Sequence, residues 1–303
     1  MNVEQRAPRS ISMLCSLLGY SRQSFYKRQE SDEENVYQEA ILLEKVQDIR
    51  ETQPRIGGRK LHMTLRDFMH GHQMEMGRDR FFDFLASHHL LIRQKRRKKP
   101  ITTTSYHWLK KYPNLIRDLV PERPNLLWVS DITYIEVSDK FCYLSLLTDA
   151  YSRKILGFHL DTRLHAKGSI KALKMALGTL DTDFDQNLIH HSDRGTQYCS
   201  YAYVKKLQKR SIQISMSENG DPLENAIAER VNGILKDEFL IGSCSNYPEA
   251  KKAVGRAIDI YNSQRLHSSI NYLTPDIAHL MRGAIPRKWK NYYRRKEVEP
   301  SIS

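Results

Sequence analysis

The period of the hydrophobic positions changes near residue 120. Before that point apolar residues recur every three or four positions, as between Ile41 and Ile49, which is the spacing of one helical face. Beyond it the apolar residues form short β-branched and aromatic runs such as "LLWVSDITYIEV" and "FCYLSLLTDAY". The pattern therefore predicts an all-α segment followed by a segment built around a β-sheet.

The first part of the all-α segment, residues 1–30, has the layout of a helix-turn-helix. A helix over residues 10–18 is followed by a break at Gly19 and by a second helix capped by Ser21. A simple helical hairpin fits the pattern almost as well, so both interpretations stay open. The stretch "SDEENVYQEA" that follows is expected to be an acidic connector.

Three short helices are predicted in the second part, residues 38–92. They run from Glu39 to Pro54, from the glycine pair at 57 and 58 through Met69, and from about Arg78 to His88. We interpret this part as a second helix-turn-helix-like, DNA-binding domain.

The segment from residue 121 to residue 280 has the element order of the ribonuclease H fold. Three strands separated by short breaks are predicted to pair antiparallel, and a helix at about 166–179 follows them. A strand in "NLIHHSD", a helix from about Tyr201 to Arg210 and a strand in "IQISM" complete the series. We expect an α/β fold: a ribonuclease H-like core with a mixed five-stranded sheet and flanking helices, preceded by all-α helix-turn-helix segments.

Three acidic residues of this core are expected to converge. Asp131 lies midway along the first strand, Asp193 just past the end of the fourth, and Glu229 on the polar face of an amphipathic helix. That polar face comprises Asn225, Glu229, Asn232 and Lys236. Converging carboxylates repel one another unless cations neutralise them, and oxygen ligands suit Mg²⁺ or Mn²⁺. The pattern indicates a two-ion site of the kind that promotes phosphoryl displacement.

Other residues near these acids have simpler explanations. The core holds many acidic residues, so the spacing of three of them is weak evidence when taken alone. Asp149, near the end of the second strand, is the rival ligand and is better explained as a turn residue. His190 and His191 are expected to pack and hydrogen-bond rather than bind metal.

Net charge points to a polyanionic partner. The chain of 303 residues carries a formal charge of +13 with a pI near 9.5, and the excess of Lys and Arg lies in residues 1–120 and 241–303. A basic linker, 93–120, and a basic tail, 281–303, contribute to it. The linker cations expected to contact phosphates are Arg93, Lys95, Arg96 and Arg97. A solvated linker is the alternative, since like charges repel.

Several classes of protein are excluded by composition. The four cysteines form no C-x-x-C pair, which argues against a zinc finger or a disulfide framework. No apolar run approaches the roughly 20 residues of a membrane span, and the N-terminus lacks the apolar block of a signal peptide. We therefore expect a cytoplasmic protein with no membrane partner.

Four stretches, "WVSDITYI", "HHSDRGTQY", "SMSENGDPLENAIAERVNGILKDEF" and "YNSQRLHSSINYLTP", carry a specific resemblance. They resemble the successive signature blocks of second-frame transposases of the insertion-sequence-three family, within the retroviral-integrase superfamily. In that family 35 residues separate the second aspartate from the glutamate, as they separate Asp193 from Glu229 here. A basic residue seven positions after the glutamate belongs to the pattern, and Lys236 occupies it. The resemblance covers about residues 120–280 and, more loosely, 40–95.

The resemblance implies a site and its cofactors. Asp131, Asp193 and Glu229 would be the catalytic triad of a DDE transposase and would bind two Mg²⁺ (or Mn²⁺) ions, with Lys236 contacting DNA near them. It also implies a bacterial mobile element and a nucleoid-associated protein whose partners are the element's terminal inverted repeats and target DNA. Pairing of two ends implies at least a homodimer on DNA. In this family the frame is commonly fused to an upstream frame, whose product is a further partner.

We therefore expect a transposase that nicks the element's 3′ end and then joins the freed hydroxyl to another phosphodiester. Further DNA contacts are expected from Arg194, Asn225 and Asn232, and from Arg265 and His267 in "YNSQRLH". An ordinary turn role for Arg194, and helix packing for Arg265 and His267, are equal alternatives. Two other functions stay open: a DNA-binding regulator or inactive remnant, and a structure-specific nuclease of the same fold that would cut without joining.

Overall fold

The computed structural model describes residues 10–92, 107–117, 119–138, 140–180, 187–218, 225–240, 242 and 244–286, without the side chains of 31 and 32. The chain forms two compact units, which we call the helical unit (residues 1–51 and 61–91) and the core unit (52–60 and 92–303). No helix in the described ranges is long and apolar enough to cross a bilayer.

Four helices account for the helical unit and extend slightly beyond it. Their bounds are α1 (Ile11–Leu17), α2 (Arg22–Thr52), α3 (Gly58–Gly71) and α4 (Arg78–Ser87). The break after α1 is at Gly19, whose φ of 73° is left-handed and suits glycine, and the Ser21 hydroxyl caps the next helix by accepting from the Ser24 amide at 3.0 Å. Fully buried side chains in the described part of this unit include Leu42, Val46, Leu61, Leu65, Phe81 and Leu85.

The predicted acidic connector is wrong, because α2 is one helix of 31 residues. No glycine or proline interrupts it, and its Glu and Gln residues are good helix formers. Hydrogen bonds one turn apart, from Gln29 to Glu33 and from Gln38 to Glu34, support its exposed middle. The low hydrophobicity of this stretch therefore reflects solvent exposure rather than a loop.

The core unit is built on the predicted mixed sheet. Its strands are β1 (Leu127–Val137), β2 (Lys140–Asp149), β3 (Ile155–Asp161), β4 (Ile189–Ser192) and β5 (Gln213–Met216), in the order β3-β2-β1-β4-β5. β1, β2 and β3 pair antiparallel, whereas β4 runs parallel to both β1 and β5. This is the arrangement expected for a ribonuclease H-like core, and it confirms that part of the prediction.

Helices cover both faces of the sheet. They are α5 (Ala166–Leu177), α6 (Thr196–Cys199), α7 (Tyr201–Gln208), α8 (Ala226–Ile234), α9 (Tyr247–Ser263) and α10 (Pro275–Ala278), with a π-helix (Leu235–Phe239) after α8 and a 3₁₀ turn (Ser268–Ile270) after α9. β2 contributes side chains to the hydrophobic core on each face of the sheet. Leu144 and Leu146 pack with α8 and α9, whereas Leu147 packs with α5 and α7. The sheet is therefore buried on both sides.

Candidate active site

The strand register brings two of the acids together. β1 and β4 are parallel and pair Ser130 with Ser192, so the residues that follow lie next to each other, Asp131 within β1 and Asp193 just past the end of β4. β1 continues past this point, whereas β4 ends at Ser192. The site thus lies where a parallel pair stops, at the carboxyl end of β4.

Asp131 is held by two hydrogen bonds. The Ile132 amide donates to Oδ1 at 2.8 Å, and the Asn232 side-chain amide donates to Oδ2 at 2.7 Å. Burial and the negative charges of Asp193 and Glu229 together raise the pKa of Asp131 to about 7, against the lowering effect of the two donors. The carboxyl group therefore lies where its charge is unfavourable until a cation joins it.

Asp193 sits in the turn between β4 and α6. The Gly195 amide donates to its Oδ1 at 3.0 Å. Burial raises the pKa of Asp193, and the Gly195 amide and the nearby His107 oppose this rise. Both aspartates therefore share one desolvated, negative environment.

Glu229 comes from the third element, the first turn of α8, and its side chain is exposed. Its charge acts on Asp131. Across the described residues no three acidic, histidine or cysteine side chains are already placed tightly enough to hold a metal ion. The acids are close enough to perturb one another, and oxygen-only donors of this kind fit Mg²⁺ or Mn²⁺.

Lys236 lies beyond Glu229 in the π-helix, a rare geometry that often occurs at functional sites. Its Nζ is 4.4 Å from the centre of the Tyr134 ring, a cation–π contact with β1. Arg194 follows Asp193 directly, and its Nε is buried without a hydrogen-bond partner among the described residues. Arg194 is therefore placed beside Asp193, and Lys236 lies against β1, the strand that carries Asp131.

Asn225 and Asn232, which we expected on an open polar face, are buried and contact protein. Asn225 donates to the Ser130 carbonyl at 3.2 Å, and Asn232 donates to Asp131. They tie α8 to β1 on either side of Glu229. In the structure both side chains are thus engaged by β1, and their contact with DNA stays a prediction.

Arg265 and His267 are also buried. Arg265 is 1% exposed and makes two 2.8 Å hydrogen bonds to the Glu238 carboxylate, while its Nη1 lies 2.8 Å from the His267 Nε2. Lys60 reaches the same carboxylate at 2.9 Å. The structure thus favours the helix-packing alternative for both residues over contact with the DNA backbone.

The rival residues have structural roles, as expected. Asp149 is fully buried and accepts hydrogen bonds from the backbone of Asn125, Tyr151 and Ser152, which makes it a turn residue. His190 lies between the hydroxyls of Ser130 and Tyr203, at 2.9 and 2.8 Å. Burial lowers the pKa of His190 to about 3 and of His191 to about 4, so both rings are neutral.

Two residues near the site were not anticipated. The His107 Nε2 donates to the Arg194 carbonyl at 2.6 Å, and Glu238 is the buried partner of Arg265. The pattern "HWLKKY", with aromatic and basic residues interleaved, was a signal for the first. The partnership of Glu238 spans 27 residues and has no local signal.

The linker cations Arg93, Lys95, Arg96 and Arg97 lie outside the described residues.

Comparison with known proteins supplies the family. Residues 121–222 match one family described as Integrase core domain, and residues 210–275 match a second of the same description. The chain is 34% identical to the insertion element IS600 uncharacterized 31 kDa protein of Shigella sonnei, over 86% of this chain and 96% of that protein. It is 32% identical to the transposase for insertion sequence element IS629 of Shigella sonnei, over 59% of this chain and 60% of that protein.

Among solved structures, the HTLV-2 integrase catalytic core domain in complex with magnesium is 18% identical, with a TM-score of 0.40 over 52% of this chain and 97% of that chain. The chain spans nearly all of the IS600 protein and about three fifths of the IS629 transposase. With integrase core domains across residues 121–275 and this identity to the IS600 protein, the chain belongs to the DDE insertion-sequence transposases of the retroviral-integrase superfamily.

Proposed function

We propose that the chain nicks the 3′ end of its insertion sequence at the terminal inverted repeat and joins that end to target DNA by direct transesterification. The observation that carries the proposal is the placement of Asp131 beside Asp193 at the end of β4, with the charge of Glu229 acting on Asp131. Three carboxylates whose charges act on one another suit cations rather than an acid–base pair.

Asp131, Asp193 and Glu229 would hold two divalent ions. When bound, such ions activate an attacking oxygen and stabilise a leaving oxygen in an in-line displacement at phosphorus. Glu229 would turn toward the aspartates by rotation about the three rotatable bonds of its side chain. The same site would serve both reactions, since water attacks in the first and the 3′ hydroxyl in the second.

The protein's own contribution would be positioning. Asn232 and the Ile132 amide orient Asp131, and the Gly195 amide orients Asp193. Lys236 and Arg194 would bind phosphates beside the scissile bond. Two element ends must meet before joining, so we propose at least a homodimer on DNA, with an upstream-frame product as a further partner.

The test is a cleavage and joining assay on DNA that carries the element's ends, in Mg²⁺ and in EDTA. Glu229→Gln keeps the shape of the side chain and removes its charge, and Glu136→Gln makes the same change on an exposed residue of β1. We expect wild type and Glu136→Gln to join DNA only in Mg²⁺, and Glu229→Gln to bind DNA without nicking or joining it.

Other outcomes identify the alternative functions. Cutting without any joined product would indicate a nuclease of the same fold. DNA binding without chemistry by the wild type, even with the upstream-frame product present, would indicate a regulator or an inactive remnant. Either result would overturn the proposal.

A further inference from the structure

Trp108 is the most exposed large hydrophobic residue of the described part of the chain, with 93% of its surface open to solvent. Trp128, by contrast, is fully buried and donates to Asn125 at 3.0 Å. An indole presents a large apolar face, and such residues are normally buried unless they contact a ligand.

The segment that carries Trp108 is fixed to the core unit on both sides of the indole. His107 contacts the Arg194 carbonyl at 2.6 Å, and Leu109 packs against the cluster around Trp128 and Tyr203. Farther along, the Pro113 carbonyl accepts from the Met216 amide at 3.2 Å, on the edge strand β5. The exposed indole therefore sits on an anchored backbone, which lowers the entropy that binding would cost.

The anchor also places Trp108 close to the turn of Asp193. Arg194, which His107 contacts, directly follows Asp193, and His107 is near enough to Asp193 to act on its carboxylate. Trp108 is thus the sequence neighbour of His107, which contacts the turn that carries Asp193. An aromatic face at this position would meet whatever strand occupies the site.

The charges around Trp108 suit a phosphate backbone. Lys110 and Lys111 are exposed, and the Lys110 Nζ lies 5.2 Å from the centre of the Tyr112 ring. Burial and the charge of Asp193 raise the pKa of the Cys199 thiol, and Lys111 and Arg194 oppose that rise, so both cations lie near this thiol. We call residues 107–112 the aromatic strip. Aromatic and basic side chains placed close together are the usual composition of surfaces that bind single-stranded DNA.

We propose that the aromatic strip is a binding site for single-stranded DNA at the active site, in which the Trp108 indole stacks on an unpaired base next to the scissile phosphate. Lys110 and Lys111 would bind the flanking phosphates. The inference deepens the proposed function and rests on it for the identity of the DNA, whereas the binding itself is measurable without any cleavage.

The test measures affinity in EDTA, where no chemistry occurs, for a forked DNA end with unpaired nucleotides and for the same end fully paired. Base stacking contributes about 1–3 kcal/mol per base, so Trp108→Ala should weaken binding to the forked end about 5- to 150-fold. Binding to the paired end should change little, and Trp108→Phe should retain most of the affinity. Tyr201→Ala is the matched control, since this tyrosine is 75% exposed on α7, and it should bind as wild type.

Tryptophan fluorescence gives a second measurement, which DNA would not change if Trp108 had only a structural role. In a Trp289→Phe background, Trp108 is the exposed tryptophan of the two that remain. Its emission should be quenched by the forked end and not by the paired end.

Unchanged affinity in Trp108→Ala together with unquenched emission would overturn the inference. A change in emission with protein concentration in the absence of DNA would also overturn it, because a second copy of the chain would then cover the indole. If quenching and weakened binding are found but the wild type never joins DNA, the stacking site stands and the proposed transposition falls.

Discussion

At the scale of single residues, Asp131 links the stability of the core unit to pH. Its pKa rises from 3.8 to about 7 through burial and the neighbouring carboxylates. Between these values the folded protein retains a proton that the unfolded chain releases. The stabilising effect of that proton is fully present below the unfolded pKa and is lost as pH rises through about 7, at up to about 1.4 kcal/mol per pH unit.

We therefore predict that, in EDTA, Asp131→Asn becomes progressively more stable than the wild type as pH rises from 4 to 8. The measurement is the free energy of unfolding of both proteins across this range. Asp259→Asn, at an exposed position on α9, is the control and should show no such divergence. Parallel curves for Asp131→Asn and wild type would contradict the assigned environment of this carboxyl group.

The roles of single residues were the hardest feature to predict. Asp131, Asp193 and Glu229 could be selected because each has a position that strand and helix periodicity defines. Asn232 could not be selected in this way. Helical geometry placed it on the polar face of α8, but the sequence does not show that this face contacts Asp131. Its burial depends on a contact across 101 residues of chain, which local patterns do not encode.

At the scale of elements, the π-helix is joined to the turn after α9 by a buried ion pair. Glu238 accepts two hydrogen bonds from Arg265 and one from Lys60. Removing one partner of a buried pair leaves an uncompensated charge, which typically costs about 3–5 kcal/mol. Because this pair fixes the π-helix that directly follows α8, it also stabilises α8, which carries Glu229.

We predict that Arg265→Met lowers the free energy of unfolding by about 3 kcal/mol, toward the lower end of that range because Lys60 remains. Lys154→Met, which breaks the more exposed 2.9 Å pair with Asp276, should cost less than about 1 kcal/mol. Adding Glu238→Gln to Arg265→Met should recover part of the loss. The free energies of unfolding are measured by urea titration. Equal losses in Arg265→Met and Lys154→Met would show that the buried pair contributes no more to stability than the exposed one.

The packing of β3 against α5 depends on a glycine. A Cβ at Gly157 would lie 2.1 Å from the Ala172 carbonyl oxygen, so the strand and helix would have to separate. We predict that Gly157→Ala costs about 1–3 kcal/mol or more. Gly255→Ala, within α9 and with nothing inside 4 Å, should instead stabilise by about 0.5–1 kcal/mol. Thermal unfolding of the two variants measures these effects. A Gly157→Ala variant as stable as the wild type would contradict the close packing of β3 against α5.

Elements could be predicted better than residues. β1, β2 and β3 followed from β-branched and aromatic runs with short breaks, because strand period and turn chemistry are local properties. The continuity of α2 was missed because an exposed helix without an apolar stripe has the composition of a connector. The contact of Pro113 with Met216 of β5 was missed because it is a tertiary contact.

At the scale of the whole molecule, net charge should govern affinity for DNA. The formal charge of +13 predicts a strong electrostatic contribution, since each phosphate contact releases counterions. We predict that the dissociation constant for paired DNA rises at least about 100-fold between 50 and 200 mM salt, as measured by anisotropy. A change of less than about threefold would mean that the basic regions do not bind the backbone.

The central claim is that three acids, from β1, from the turn after β4 and from α8, form one cation site. The most direct test is the unfolding temperature at pH 8 in EDTA and in Mn²⁺, for wild type, Glu229→Gln and Glu136→Gln. Binding to the folded state alone at tenfold excess over the dissociation constant stabilises by about 1.4 kcal/mol, or a few degrees. We predict that rise for wild type and Glu136→Gln, and a clearly smaller one for Glu229→Gln. No rise in the wild type, or an equal rise in all three proteins, would contradict the claim.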